Sequence, residues 1–206
     1  IKYMSGKKCT WIICWICFKF TFKFYLQREG NQLNKRYKDL CIRNAEVCDC
    51  KQLELWWNDG NVMAHAGFPQ GLGTTEQKIA AQIADDSDET KRRLIIEFQS
   101  RPIGEMCFYT EKNQEYEIGI KICEMEYQEK GLGRIVLSML IDELFKMGAK
   151  RIYLDTNLTN TRAQHVYELL GFRKTGVHEN SWKNQLGELQ SSVDYELLKQ
   201  DFHTFI

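Results

Sequence analysis

The chain has 206 residues, of which 43% are apolar and 27% are charged, and this composition excludes a disordered or fibrous protein. Basic and acidic side chains balance at 28 each, but residues 1–37 hold eight basic and one acidic side chain. The other 169 residues therefore carry 20 basic and 27 acidic side chains, a balance of −7 that disfavours nucleic-acid binding and favours cationic ligands.

Residues 1–37 form an atypical N-terminal extension. Residues 9–26 are strongly apolar and aromatic, but two lysines interrupt them, so they fall short of the roughly 20 apolar residues that a membrane span needs. Lysines before this run resemble a secretory signal, yet no small-residue cleavage site follows it. We interpret residues 1–32 as lying outside the native product, because the codons for Arg28 to Gly30 can form a bacterial ribosome-binding site and Leu33 can be a TTG start. A genuine anchor or pairing segment is the alternative.

Eight cysteines match no common disulfide or zinc spacing. They stand at positions 9, 14, 17, 41, 48, 50, 107 and 123. A chain of this length needs no disulfide for stability, and Cys14 and Cys17 have no second cysteine or histidine pair at zinc-finger spacing. We therefore expect reduced thiols, no metal and a cytoplasmic protein.

Hydrophobic periodicity and turn residues predict seven strands and four helices after the extension. The predicted strands cover residues 38–43, 93–99, 103–109, 115–122, 151–155, 173–177 and 192–198. The predicted helices cover 45–57, Thr74 or Thr75 to Ala84, the stretch from Gly133 to Met147, and 161–170. Pro102 is expected to fix the corner between the second and third strands. This order predicts one α/β (α+β) domain over residues 38–206, with a mixed, mostly antiparallel sheet flanked by helices.

The most informative local pattern is Gln128-Glu129-Lys130-Gly131-Leu132-Gly133, between a predicted strand and a predicted helix. Glycines let the backbone approach a ligand closely and adopt positive φ. The first N–H groups of the following helix have no intrahelical acceptor, and together with the helix dipole they bind phosphate oxygens. Lys130 and Arg134 add positive charge, so the pattern predicts a pyrophosphate site.

Two other phosphate-binding loops match this pattern less well. A Walker loop needs Gly-Lys-Ser/Thr, whereas Arg134 and Ile135 follow Gly133. A dinucleotide fingerprint needs a third small residue where Val136 stands, and a glycine turn directly after the strand. Asp155, a little over twenty residues on, is typical of a ribose-binding acid, so a nucleotide-dependent oxidoreductase stays an alternative.

A second pattern, Asn160-x-x-Ala163-x-x-x-Tyr167-x-x-x-Gly171-Phe172, follows the glycine loop. In this order and spacing, the two patterns make residues 40–198 resemble the Gcn5-related N-acetyltransferase (GNAT) family. The resemblance implies a GNAT-like fold, acetyl-coenzyme A (acetyl-CoA) as cofactor, and transfer of the acetyl group to a primary amine by direct attack on the thioester. A non-catalytic coenzyme A-binding sensor on the same fold is the second alternative.

The resemblance also implies which residues meet the cofactor. In the family, the strand that corresponds to residues 115–122 splays from the strand at 151–155, and the pantetheine arm inserts between them and bonds to backbone. The residues implied in cofactor binding are Ile120, Ile122, Cys123, Gln128, Glu129, Lys130, Gly131, Leu132, Gly133, Arg134, Asn160 and Tyr167. Ordinary sheet pairing for the strand residues, and a plain helix N-cap for Asn160, are the structural alternatives.

Acetyl transfer needs a base that takes a proton from the amine and an acid that protonates the leaving thiolate. By the resemblance, Glu117 is the implied base, and Glu115 is a rival because it shares that face of the predicted strand. Tyr167 is the implied acid, with a satisfied core tyrosine as its alternative. His65, His165 and the cysteines are assigned no role.

The sequence limits the acetyl acceptor to a class of amines and does not identify one compound. Trp57, Asp59 and Phe68 are candidates for its site, although the tryptophan can equally pack the first helix on the sheet. The segment from Trp57 to His65 resembles branches of the family that act on ribosomal proteins and aminoglycosides. Together with the acidic balance, this leads us to expect a small polycationic acceptor such as an aminoglycoside, or a protein N-terminus. No nucleic acid or membrane partner is expected, and the oligomeric state is left open.

Overall fold

The computed structural model describes residues 33–206, which form one eight-stranded sheet and five α-helices. The strands are β1 (Asn34–Tyr37), β2 (Leu40–Asn44), β3 (Lys91–Phe98), β4 (Arg101–Glu111), β5 (Glu115–Ile122), β6 (Arg151–Asn157), β7 (Arg173–Lys183) and β8 (Leu189–Leu198). The helices are α1 (Cys50–Asn58), α2 (Gly60–Met63), α3 (Glu76–Ala84), α4 (Leu132–Lys146) and α5 (Thr161–Leu169). Our interpretation of residues 1–32 concerns a segment outside the described residues.

The sheet has the strand order β1-β2-β3-β4-β5-β6-β8-β7. Neighbouring strands are antiparallel, except that β5 and β6 run parallel. Parallel neighbours need a crossover connection, and α4 supplies it here. The predicted mixed, mostly antiparallel sheet flanked by helices is therefore confirmed.

One face of the sheet, here called the core face, packs against α4 and α5. Strand residues such as Ile96 and Phe108 are fully buried there. From α4, Val136, Leu140 and Leu144 meet them at the spacing of one helix face. This apolar layer fixes α4, and with it the glycine loop at its N-terminus, against the sheet.

The opposite face, here called the polar face, is only partly covered by α1 and α3. Leu53, Trp56 and Ile79 from this side pack against Ile95 in a second buried cluster. Beyond that cluster the polar face presents ionisable side chains, including Glu117 on β5.

Strand β1 was missing from the sequence prediction. It pairs with β2 through a tight turn at Lys38 (φ 52°), and the folded unit begins at Leu33. Lys35 on β1 donates a hydrogen bond to Glu143 on α4 at 2.5 Å, so the strand is tied to the helix as well as to the sheet. The sequence of β1 (Asn34–Tyr37) lacks an apolar alternation, and pattern reasoning therefore had no signal for it.

The helix predicted over residues 45–57 begins later, with a 3₁₀ turn at Val47–Asp49 before α1. The Asp49 carboxylate is the cause. It accepts the Glu46 N–H at 2.8 Å and the Arg43 guanidinium at 2.7 and 2.9 Å. These bonds hold the chain in a tight turn that caps the helix.

The sequence predicted that Pro102 fixes the corner between β3 and β4, and this prediction is wrong. The corner residues are Gln99 and Ser100, both with positive φ (50° and 64°), and Pro102 lies within β4 opposite Glu97. The register shifts between Ile96 and Glu97. Proline is tolerated at such a bulge because its missing N–H removes no regular ladder hydrogen bond.

The strands of the hairpin of β7 and β8 are longer than predicted. The outer half of the hairpin is exposed and has no apolar alternation, so hydrophobic periodicity did not indicate it. Its tip bonds to the segment that follows α2. The Gln185 N–H donates to the Gly67 carbonyl at 2.8 Å, and the Gln185 side chain donates to the Gly71 carbonyl at 3.0 Å. None of the helices within residues 33–206 is long and apolar enough to cross a membrane.

Candidate active site

Strands β5 and β6 separate along their length. Their parallel pairing covers only residues 115–117 on β5 and 151–153 on β6, although both strands continue well beyond these residues. On the side facing β6, the rest of β5 has no strand partner among residues 33–206. The gap can therefore take an extended ligand that bonds to backbone, as the resemblance implied.

The glycine loop leads from this gap to α4. Gly131 is the N-cap of α4, with φ 73°, and no side chain of the described residues caps the helix there. Gly133 lies in the first turn, and a Cβ added to it would meet no atom within 4 Å. Uncapped N–H groups facing open space fit a diphosphate. These residues suit the pyrophosphate of coenzyme A.

Arg162, at the start of α5, ties the glycine loop to the second sequence motif. Its guanidinium donates to the Glu129 carboxylate at 2.9 Å and to the Gln128 side-chain oxygen at 3.2 Å. Gln128 in turn donates to the Ile122 carbonyl at 2.9 Å. The network holds the loop against the end of β5. Sequence reasoning missed Arg162, and its position two residues after Asn160 was the one available hint.

The two predicted cations of the loop flank the N-terminus of α4. Lys130 is exposed, with its ammonium 5.6 Å from the Tyr127 ring centroid. Arg134 is also exposed, with its guanidinium carbon 5.0 Å from the Phe205 ring centroid. Both charges reinforce the positive end of the helix dipole. Leu132 differs from them, because it packs against the core and anchors the first turn.

Other residues implied in cofactor binding already have partners. Asn160 caps α5 by accepting the Ala163 N–H at 3.3 Å, which is its predicted structural alternative. The Cys123 N–H donates to the Ile103 carbonyl at 2.9 Å, and burial raises the pKa of the Cys123 thiol. Ile120 lies in the unpaired part of β5, so its main chain is the group best placed for an inserted arm.

Glu117 and Glu115 both lie where β5 and β6 begin to separate, but their environments differ. Arg151 donates to Glu115 at 2.5 Å, and this hydrogen bond lowers the pKa of Glu115. Burial, with the carboxylates of Asp155 and Glu111 next, raises the pKa of Glu117. A carboxylate with a raised pKa is the better proton acceptor near neutral pH. The geometry therefore favours Glu117 over its rival.

Tyr167 is buried on α5, with its ring centroid 5.8 Å from that of Phe172 and 5.7 Å from that of Tyr195. Burial, with the nearby Asp155 carboxylate next, raises the pKa of Tyr167 far above its ordinary value of 10. No group within residues 33–206 hydrogen-bonds to its hydroxyl, yet that oxygen is not fully enclosed. By contrast, the Tyr195 hydroxyl donates to Glu168 at 3.2 Å. Tyr167 is thus a protonated, available donor.

Asp155, on β6, links the two candidate catalytic residues electrostatically. Its charge raises the pKa of both Glu117 and Tyr167, and burial, with Asp194 next, raises its own pKa. Sequence reasoning considered Asp155 only as a ribose-binding acid, because the pairing of β6 with β5 is not readable from spacing.

A cleft of about 340 Å³ opens on the polar face beside Glu117. It is lined by Trp57, Met63, Leu72, Gln82, Lys91, Arg93, Glu105, Tyr109 and Lys121. The strand register aligns the strand residues of this lining, together with Glu117 and Gly119, in rows across β3, β4 and β5. One row is Lys91, Tyr109 and Glu117; the next contains Arg93 and Gly119; a third contains Glu105 and Lys121. An acceptor in the cleft would therefore lie next to Glu117.

The three predicted acceptor residues are not brought together in this cleft. Trp57 lines it, and its indole N–H donates to Glu105 at 2.8 Å. Asp59 is exposed and caps α2 by accepting the Asn61 N–H at 2.8 Å. Phe68 is partly exposed and lies outside the lining. The charged strand residues of the lining were missed, although polar side chains alternating with apolar ones in β3 and β4 were a visible signal.

His65 and His165, to which no role was assigned, are both exposed. Within residues 33–206, no group of three or more histidine, cysteine or acidic side chains is arranged to hold a metal ion.

The parallel strands of this mixed sheet separate beside an uncapped helix N-terminus, which is the arrangement that the resemblance implied for an acetyl-CoA-dependent transferase. The profile of the Acetyltransferase (GNAT) family matches residues 52–172, more than half of the chain. The chain belongs to the GNAT acetyltransferase family. The family prediction from the two sequence motifs is confirmed. Membership in a family of acetyltransferases decides against the first alternative, a nucleotide-dependent oxidoreductase. It also does not favour the second alternative, a non-catalytic coenzyme A-binding sensor.

Similar proteins agree with this assignment. The [ribosomal protein bS18]-alanine N-acetyltransferase of Escherichia coli (strain K12) is 42% identical over 55 residues, which is 27% of this chain and 37% of that protein. The chain thus matches little more than a third of the length of such curated relatives. A ribosomal L7/L12 α-N-protein acetyltransferase in complex with coenzyme A has a TM-score of 0.71 at 16% identity, over 79% of this chain and 95% of that one.

A spermidine N-acetyltransferase from Vibrio cholerae, in complex with coenzyme A and spermine, has a TM-score of 0.70 at 22% identity. The match covers 80% of this chain and 98% of that one. At such identities the structural likeness establishes the fold. The acceptors of these proteins differ from one another, so the likeness by itself does not identify the acceptor of this chain.

Proposed function

We propose that this protein transfers the acetyl group of acetyl-CoA to a primary amine in the cytoplasm. The observation that carries the proposal is the loss of pairing between β5 and β6 directly after Glu117, beside the uncapped N-terminus of α4. The five cysteines within residues 33–206 are free thiols, which supports a reducing compartment.

The cofactor half of the site comprises the glycine loop and the unpaired part of β5. The backbone N–H groups at Gly131, Gly133 and the first turn of α4 would hold the pyrophosphate, and Lys130 and Arg134 would add charge. Main-chain groups near Ile120 would bond to the pantetheine arm. When bound, acetyl-CoA supplies an activated thioester. Holding a thioester and an amine together in one site provides a large part of the rate.

In this proposal Glu117 takes the proton of the acceptor amine, directly or through a water. The amine nitrogen forms a bond to the acetyl carbon, and the bond from that carbon to sulfur breaks. Tyr167 gives its proton to the leaving sulfur. The raised pKa of each residue supports its part, since Glu117 becomes a better base and Tyr167 stays protonated. Burial is the main cause of both raised pKa values, and the Asp155 carboxylate is the next cause.

The acceptor would enter through the cleft on the polar face, in which Trp57 is already in place. Two similar proteins are named for alanine of a ribosomal protein and for spermidine. We propose the coarser class that these share, a primary amine on a small molecule or at a protein N-terminus. Asp59 and Phe68 stay predictions for the outer part of the acceptor path.

The test is calorimetric titration of the full chain with acetyl-CoA, followed by measurement of free thiol release with a panel of amines. We expect saturable acetyl-CoA binding and thiol release that depends on both the amine and Glu117. A folded sample that does not bind acetyl-CoA would overturn the proposal. Thiol release at the same rate with and without any amine would indicate thioester hydrolysis instead.

A further inference from the structure

The cleft beside Glu117 is positively charged, although the body of the protein is acidic. Lys91, Arg93 and Lys121 line it, and Glu105 is the one carboxylate of its lining. With all four ionised, the lining has a balance of +2. Charges that line a pocket act at short range with little screening, whereas the overall charge acts across about a Debye length of salt solution. The lining therefore decides which acceptor fits.

Glu105 holds two of these cations in fixed positions. It is buried, and it accepts hydrogen bonds from the Trp57 indole at 2.8 Å, from Lys121 at 3.2 Å, and from the Arg93 guanidinium. The cations, Lys121 first and then Arg93, lower the pKa of Glu105 against the effect of burial, so it is a carboxylate at neutral pH. A preorganised pair of cations on a buried anchor can bind a ligand without a large ordering cost.

Arg93 keeps donors free for such a ligand. Its side chain is 10% exposed, and its guanidinium carbon lies 4.3 Å from the Trp57 ring centroid. One terminal nitrogen bonds to Glu105, but Nε and the other terminal nitrogen have no partner within residues 33–206. These atoms are not fully enclosed, and Arg93 is one of the residues that line the cleft. A nearly buried guanidinium with free donors is typical of a carboxylate or phosphate site.

Lys91 adds a second free cation. Its ammonium lies 5.5 Å from the Tyr109 ring centroid and has no ion pair with any described residue. Asp86, whose carboxylate accepts the Arg93 backbone N–H at 2.7 Å, does not line the cleft. Lys91 and Arg93 are on β3, two strands from β5, which places their backbones roughly 10 Å from Glu117 at the usual strand spacing.

We propose that the acceptor is an amine that also carries an acidic group, a carboxylate or a phosphate, which Lys91 and Arg93 bind in this cleft. The inference rests on the proposed acetyl transfer, with the amine at Glu117 and the acidic group several bonds away. It replaces the polycationic acceptor expected from the overall charge, because a polyamine would meet like charges in the lining.

The test uses two pairs of amines that differ in the acidic group. Glycylglycine is compared with glycylglycinamide, and glucosamine 6-phosphate with glucosamine. Each is titrated by calorimetry into the full chain saturated with coenzyme A, and each is assayed for thiol release from acetyl-CoA. The variants are Lys91→Glu and Lys91→Gln, with Lys51→Glu as a control, because Lys51 is exposed on α1 outside the cleft.

We expect the acidic member of at least one pair to bind about tenfold to a hundredfold more tightly than its neutral partner. The pair that shows this preference identifies the acidic group of the acceptor as a carboxylate or as a phosphate. The preference should fall in Lys91→Gln, vanish in Lys91→Glu, and persist in Lys51→Glu. If neither acidic amine binds better than its partner, or if Lys91→Glu keeps the preference, the inference is wrong. If the preference is present but no thiol is released, the anion site stands and acetyl transfer fails.

Discussion

The cofactor half of the proposed site is built from consecutive residues, whereas the acceptor half is built from side chains of seven separate segments. The glycine loop would bind its ligand with backbone N–H groups at the start of one helix, and its geometry depends on Gly131 and Gly133. The cleft needs α1, α2, the loop with Leu72, α3 and three strands to come together. The comparison teaches that a backbone site can be read from spacing, while a side-chain site exists only once strand register is set.

The two halves also differ in how their charges are satisfied. At α4 the helix donors are left uncapped, so a ligand can complete them. In the cleft a buried carboxylate, Glu105, already compensates part of the positive charge. Substitutions in the first half should therefore change cofactor affinity alone, and those in the second should also change stability.

The largest effect is expected where the two halves meet, at Glu117. Glu117→Gln should lower kcat by about 10²- to 10⁴-fold, because the base is lost, and should leave the Kd for acetyl-CoA unchanged. In the wild type the rate should fall as pH drops through the raised pKa of Glu117, because the base becomes protonated. Glu115→Gln, which loses the pair with Arg151, is the matched control and should retain most activity.

The same substitution has an opposite effect on stability. The folded state holds the Glu117 proton more tightly than the unfolded state, so this residue contributes less stability as pH rises through its pKa. Glu117→Gln should therefore give an equal or slightly higher Tm at pH 8, which thermal unfolding can measure. A kcat within threefold of the wild type would remove Glu117 from the mechanism.

The second-largest effect is expected on stability, at Glu105, which anchors the cations of the acceptor half. Glu105→Gln should lower the free energy of unfolding by about 3–5 kcal/mol, because Arg93 and Lys121 lose their buried carboxylate. Urea unfolding measures it. Glu126→Gln, which removes an exposed pair with Arg101, is the control and should change it by less than about 1 kcal/mol.

The pH dependence of stability provides a further check on Glu105. Its folded-state pKa is below the ordinary value of 4.5, so its contribution is complete above that pH and is lost as pH falls through the folded-state pKa. Glu105→Gln should lack this acid-dependent loss. If Glu105→Gln loses stability at acid pH as the wild type does, then Glu105 is not an ionised anchor.

A third effect separates catalysis from packing at Tyr167. Tyr167→Phe should lower kcat by roughly 10²-fold with little change in the Kd for acetyl-CoA, because it removes the proton donor and keeps the ring. Tyr195→Phe is the matched control, since that ring lies against Tyr167 and its hydroxyl is held by Glu168. Equal losses of kcat in both variants would indicate a structural role for the Tyr167 hydroxyl.

The smallest effect isolates the cofactor half. Gly133→Glu should weaken acetyl-CoA binding by tenfold or more, because a carboxylate would occupy the open space at the helix N-terminus. The Tm should stay near that of the wild type, since nothing lies within 4 Å of the added Cβ. Ala81→Glu, at an exposed position of α3, adds the same charge elsewhere and should bind normally. Normal acetyl-CoA binding by Gly133→Glu would contradict the loop assignment.

Sequence reasoning predicted the fold class and the family correctly because both depend on local patterns, and its cofactor half, drawn from such patterns too, stays a prediction. The alternation over residues 115–122, the helical spacing of Val136, Leu140 and Leu144, and the glycines of the loop are all encoded within short segments. It failed for β1 and for the corner near Pro102. Those features depend on pairing with distant segments rather than on periodicity.

The order of most of the elements, the glycine pattern at the helix start and the family of this protein are therefore readable from the sequence alone. Only the tertiary structure decided that Asp155 acts on both Glu117 and Tyr167, and that Lys91, Arg93 and Lys121 meet in one cleft. The physical reason is strand register. A shift of one residue would move each of the strand side chains among them to the opposite face, and packing between distant segments fixes that choice.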